Sequence, residues 1–181
     1  MLVIKTPIME TFNEDTGEFF ETKSYTLQLE HSLISIQKWE AKTHKRFLSE
    51  AYEKTNEEIK FYIRCMTLNT VPDVAYDYLS NENYREINEY INDPMTATTF
   101  SNNERRIAGH KIDDISAELI YFWMIELGIP FECRKWHINQ LLTLIRVSNV
   151  KRNPTKMSQK EVYNNYRALN EARRKRLNTK G

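Results

Sequence analysis

Apolar residues along the first thirty positions recur with a period of two. Leu2, Ile4 and Ile8 fall on even positions, and Tyr25, Leu27 and Leu29 alternate with Thr26, Gln28 and Glu30. That alternation predicts strands with one buried face. Between them "NEDTGEF" supplies Asn13, Asp15 and Gly17, residues suited to a turn, so residues 1–30 read as a β-hairpin or small meander. From Ser32 the period lengthens: Leu33, Ile36 and Trp39 share one helical face that turns polar near "EAKTHKR".

Helical punctuation continues through the middle of the chain. Thr55 with Glu58 has capping-box spacing, and the helix it announces puts Ile59, Tyr62, Ile63 and Met66 on one side. Pro72 and Asp73 restart a helix, and Tyr84, Ile87 and Ile91 carry its stripe to the stop at Asp93 and Pro94. "MTATTF" reads as extended or irregular. "SNNERRIAGHKIDD", polar and containing Gly109, reads as an exposed loop before a helix capped by Asp113 or Asp114. That helix, "DISAELIYFWMIEL", is apolar around most of its second half, which predicts neighbours on several sides, and Gly128 with Pro130 ends it. Residues 131–152 are expected to run back as one antiparallel packing helix, because "GIP" is too short a link for another simple arrangement. Beyond "KRNPTK", Ser158 and Glu161 form a second capping box, and Val162, Tyr166 and Leu169 give a narrow stripe leading into "RRKRLNTKG".

These elements predict an α+β chain. It is a mostly α-helical single domain over 1–152, with strands in 1–30 and helices in 32–152, followed by a basic C-terminal helix and tail over 153–181. The 8 Phe, 10 Tyr and 3 Trp supply large side chains for its core. The start has no basic segment followed by a long apolar one, and the longest apolar stretch, around LIYFWMI, is too short for a membrane span. The expected setting is the cytoplasm, without membrane contact.

Charge divides the chain. From Arg146 to Gly181 there are 11 Lys and Arg against 2 Glu, a local charge of +9, whereas residues 1–145 carry 15 basic and 23 acidic residues, −8. A basic end of this kind attracts polyanions in general, whether phosphate backbones or an acidic protein surface. Tyr163 and Tyr166 fit the helical stripe and are not framed by a nucleic-acid-reading motif, so nucleic acid is the less favoured partner.

Candidate chemistry is sparse. Cys133 and His137 stand four residues apart in "FECRKWHINQLLTLIRV", a spacing that suits one helix face and a metal or thiolate–imidazole pair. A structural zinc needs about four ligands, and His31, His44, His110 and Cys65 lack ligand-like spacing. The favoured reading is a small buried thiol beside a hydrogen-bonded imidazole. Cys65 and Cys133 likewise read as reduced core thiols. Glu57–Glu58 and Asp113–Asp114 sit at expected helix starts, where carboxylates complement the dipole. Glycine occurs only at 17, 109, 128 and 181, too few for a phosphate-cradling loop, and no serine has the setting of a nucleophile elbow. No catalytic residue, metal or cofactor is expected.

Several phrases resemble a known family: "LEHSLISIQKWEAK", "YIRCMTL", "NDPMTATTF", "IYFWMIELGIPFECRKWHINQLLTLIRV" and "ALNEARRKRLNTKG". Together they resemble tail-module proteins of tailed phages and prophages of Gram-positive bacteria, similar to siphophage tail assembly chaperones. The resemblance covers most of the chain. It implies a non-enzymatic protein of the host cytoplasm that binds the tape-measure protein, keeps it soluble and presents it to the tail-tube protein, sometimes with a longer frameshifted product. The basic terminus departs from that role and leaves room for a virion structural protein or a nucleic-acid-binding accessory. Helix-in-groove binding requires only shape and apolar anchors. The expected contact residues are Tyr62, Met66, Tyr84 and Tyr90 on the aromatic helix faces, and separately Arg173, Arg174, Lys175 and Arg176. Amphipathic stripes serve a monomer core and an interface between copies alike, so a homo-oligomer is compatible with the pattern.

Overall fold

The computed structural model describes residues 1–13, 17–100, 106, 107 and 110–152, and beyond them 163, 166, 167, 170, 171 and 174. The chain divides into two compact units, Met1–Ser148 and Asn149–Gly181. The first is a mostly helical α+β body.

Strand β1 (Leu2–Lys5) pairs antiparallel with β4 (Thr26–Leu29), Ile4 facing Leu27, and β2 (Glu10–Asn13) pairs with β3 (Glu18–Glu21). The meander is thus one ladder nested inside another. Alternation buries Ile4, Leu27 and Leu29 and leaves Val3 half exposed. The first strand is shorter than the even-position pattern suggests. It ends at Lys5, two residues before Pro7, which has no N–H to donate, and Ile8 is 63% exposed. Two buried threonines close the junction. Tyr25 N donates to Thr6 Oγ1 and Met9 N to Thr22 Oγ1, both at 2.8 Å.

Helix α1 (Leu33–Thr43) starts where the period changes, capped by Ser32, and α2 (Asn56–Met66) carries the Thr55–Glu58 capping box. Residues 72–93 are not one helix. Asp73–Tyr76 make a 3₁₀ turn, and α3 (Asn81–Asn92) begins afresh because Ser80 and Asn83 form their own capping box. The polar segment after Phe100 is not simply an exposed loop. Short strands β5 (Arg106–Ile107) and β6 (His110–Lys111) pair, and Ile107 is buried, whereas Ser101–Arg105 and Gly109 lie outside the described residues.

Helix α4 (Ala117–Leu127) is capped by Ser116, not by Asp113 or Asp114. Those two belong to a preceding 3₁₀ turn, and Asp113 Oδ1 accepts instead from Glu50 N at 2.8 Å. Gly128 ends α4 in the left-handed region at φ 65°, as its position before Pro130 suggests. The continuous helix expected over 131–152 is broken. Phe131–Lys135 form a 3₁₀ turn, and α5 (Ile138–Arg152) starts only after His137 has left the helical path to bridge Ser32. Helix α4 packs on α1 instead of pairing with an uninterrupted return helix.

The backbone around His31 explains the break. Glu30 N donates to Met66 O at 2.9 Å and Leu68 N to Gln28 O at 2.8 Å, while Ile138 N donates to His31 O at 2.7 Å. Residues 28–32 are therefore clasped between the C-terminal end of α2 and the N-terminal end of α5. Leu29, Leu33, Ile36, Trp39, Met66, Met124, Ile138 and Leu141 fill the core around them, each fully buried. In the second unit the described residues between 163 and 174 are helical, and Tyr163 and Tyr166 are exposed. The Ser158–Glu161 capping box, Val162 and Leu169 lie outside the described residues.

Candidate functional site

The apolar stripe of α2 and that of α3 meet imperfectly. Tyr62 and Ile63 are buried, but Ile59, one turn earlier, stays 38% exposed, and Tyr84 and Ile91 on α3 are half-buried above the buried Ile87. The gap is a groove of about 510 Å³, floored by these side chains and Phe47 and edged by Glu53, Lys54, Asn88 and Asn92. Its size falls in the range of ordinary ligand pockets, and its mixture of apolar wall and sparse polar rim fits a recognition site.

Lys54 marks one side of the groove. Its ammonium lies 4.8 Å from the Phe47 ring centre, 5.7 Å from that of Tyr52 and 5.9 Å from that of Trp39. Burial lowers its pKa from the ordinary lysine value, against a smaller upward pull from Glu58 and Glu50. Glu58 is already committed: it closes the capping box at Thr55 and pairs with Lys45 at 2.5 Å.

Beneath the groove lies a closed cluster. Phe47 stacks on Tyr62 with ring centres 3.9 Å apart, the Tyr62 hydroxyl meets His31 Nδ1 at 2.5 Å, and the His31 and His137 rings meet edge to face at 4.9 Å. His137 Nε2 donates to Tyr90 O at 3.0 Å and its Nδ1 accepts from Asn139 N at 3.3 Å, so both ring nitrogens are used and the ring is neutral. Burial depresses the His31 pKa to about 3, with His137 adding to the effect, and burial also lowers that of His137. Burial holds the Tyr62 hydroxyl well above its usual range. At 2% and 3% exposure, His31 and Tyr62 are closed to a substrate.

Of the expected contact residues, Tyr84 lines the groove with partly open surface, and Tyr62 borders it from beneath but is itself buried. Met66 does not: its side chain is 0% exposed within the hydrophobic core, while its backbone carbonyl accepts from Glu30 N. Tyr90 is also turned inward, its hydroxyl donating to Glu30 Oε1 at 2.6 Å and its ring edge-on to His137. Arg174 is helical and exposed, while Arg173, Lys175 and Arg176 lie outside the described residues. Cys133 and His137 are both buried, as expected, but on separate elements, the thiol in the 3₁₀ turn and the imidazole at the bridge before α5. Cys65 is buried with its thiol pushed up to about 11 by burial, which keeps it protonated at neutral pH. Among the described residues no three His, Cys, Asp or Glu side chains converge so as to hold a metal ion, and no helix is long and apolar enough to cross a membrane.

Sequence reasoning missed Phe47, Lys54 and His31. Ile59 was read as part of the α2 stripe but not as a contact residue, although its place in the first turn, at the open end of the stripe, was a usable signal. Lys54 and His31 carried none, since their partners come from other elements. Compared with family models, with curated proteins and with solved structures, the chain matches nothing.

Proposed function

We propose that this chain is a phage tail assembly chaperone-like protein that holds a helical, apolar segment of the tape-measure protein and keeps it soluble until tail-tube subunits polymerise around it. The observation that carries the binding half of this reading is the groove between α2 and α3, where Ile59, Tyr84 and Ile91 keep apolar surface that the fold does not cover. Covering such surface contributes about 25 cal/mol per Å², and an amphipathic helix is the regular element that offers matching side chains at i, i+3, i+4 and i+7. The resemblance of the sequence to tail-module proteins supplies the partner. No covalent step is required of any residue.

Co-expression with the tape-measure protein of the same tail module tests the reading. The intact chain is expected to bring that protein into the soluble fraction and to co-purify with it, and the double substitution Ile59→Glu, Tyr84→Glu is expected to abolish both effects while the chain stays folded. Insoluble tape-measure protein in the presence of the intact chain contradicts the reading.

A second reading rests on the basic C-terminal end, 11 Lys and Arg against 2 Glu from Arg146 onward. There the chain is a virion component or accessory that contacts nucleic acid. Removal of residues 173–181 separates the two: it leaves tape-measure binding intact under the first and removes steeply salt-dependent DNA binding under the second.

A further inference from the structure

The groove is not chemically uniform, and its one desolvated charge bears on what it selects. Lys54 lies over the Phe47 face at 4.8 Å, with Tyr52 and Trp39 beyond. Aromatic faces attract an ammonium through their quadrupole but do not neutralise it. Among the described residues no carboxylate lies within ion-pair distance of Lys54. Glu58 pairs with Lys45 at 2.5 Å, the upward pull of Glu58 and Glu50 on Lys54 is outweighed by its burial, and Glu53, which shares the groove edge, is exposed to water.

We infer that Lys54 is a specificity-determining residue of the groove and that the segment bound there is an amphipathic helix carrying a carboxylate, Asp or Glu, beside its apolar anchors. This rests on the tape-measure-binding reading and deepens it. The apolar floor supplies affinity without discrimination, since any greasy helix covers Ile59 and Ile91. A half-buried ammonium discriminates. A helix that brings a carboxylate gains a charge-assisted hydrogen bond in a site already stripped of much of its water, whereas a helix that brings a lysine places like charges together, and an uncharged helix covers the ammonium without a partner. The exposed Glu53 is screened by solvent and discriminates far less.

Overlapping peptides that tile the tape-measure protein of the same tail module, with binding to the full chain followed by fluorescence anisotropy, provide the test. The tightest peptide is expected to contain Asp or Glu within a turn of its apolar stripe. Replacing that residue with Gln, which leaves the protein untouched, is expected to weaken binding about tenfold, and Lys54→Met to do the same. Lys54→Arg should stay within about threefold of the parent, and Lys54→Glu should recover binding to a peptide whose acid is changed to Lys. Thermal melts of the three variants verify that the fold persists. Binding by the intact chain that is indifferent to both the peptide Gln change and Lys54→Met sinks the inference about Lys54 and leaves the groove reading standing. No binding of any peptide, together with no co-purification of the whole tape-measure protein, sinks the groove reading itself.

Discussion

Glu40 shows how much a single buried side chain organises. Its Oε1 accepts from Phe47 N and its Oε2 from Ala117 N, each at 2.8 Å, so one carboxylate of α1 fixes both the loop that carries Phe47 under the groove and the first turn of α4. Burial raises its pKa, while the two backbone donors pull it down. Glu40→Ala orphans two amides and is expected to cost about 2–4 kcal/mol in a urea melt, whereas Glu40→Gln, which can still accept one of the two bonds, should cost about half as much. Equal melts for Glu40→Ala and the parent would show the carboxylate to be dispensable.

The two buried imidazoles set a pH dependence at the same scale. In the unfolded chain each titrates near 6.5, whereas in the fold burial, and secondarily His137, holds His31 near about 3, and burial lowers His137. Protons therefore bind the unfolded chain more readily between those values. The His31 contribution is complete above about pH 6.5 and is lost as pH falls towards 3, at up to about 1.4 kcal/mol per pH unit, and His137 acts in the same direction. Glu30, Asp93, Tyr62 and Tyr90 face the pair. The comparison is therefore between slopes: unfolding free energy of His31→Gln, followed from pH 7 to 4.5, should fall less steeply than that of the parent. Parallel slopes would mean that His31 is not held neutral by the fold.

At the scale of elements, local signals were legible and long-range ones were not. Ser32, Thr55–Glu58 and Gly128 ended or began helices where the sequence placed them, because capping involves atoms three or four residues apart. Residues 131–152 misled because their apolar pattern continues through Trp136 and His137, while the interruption comes from outside, when the carbonyl of His31 takes the N–H of Ile138. The choice of Ser116 over Asp113 was equally opaque, since Asp113 is drawn off by Glu50 N, 63 residues away. The groove follows from this: the α2 stripe of Ile59, Tyr62, Ile63 and Met66 and the α3 stripe of Tyr84, Ile87 and Ile91 were visible, but which of their members remain uncovered depends on neighbours from other segments. Ile87→Ala, at a core position 3% exposed, should destabilise the chain by about 2–4 kcal/mol. Ile59→Ala with Tyr84→Ala should cost much less in stability than in tape-measure binding, and a melt combined with a binding titration separates the two.

For the molecule as a whole, the contrast between a −8 stretch and a +9 end was plain from composition, and it coincides closely with the division into Met1–Ser148 and Asn149–Gly181. Because Met1–Ser148 contains its own core, removal of residues 173–181 is expected to leave the melting temperature within about 1 °C of the parent. A fall of several degrees would instead make the basic end part of the folded body.

The central claim, that the α2–α3 groove holds the tape-measure protein, is tested most directly by site-specific photocrosslinking. With Tyr84→benzoylphenylalanine, co-expression with the tape-measure protein followed by irradiation should give a covalent adduct of the two chains. The same replacement at Phe122 on α4, which at 57% exposure is more open to solvent than Tyr84, should give little. No adduct from position 84, or adducts of equal yield from both positions, contradicts the claim.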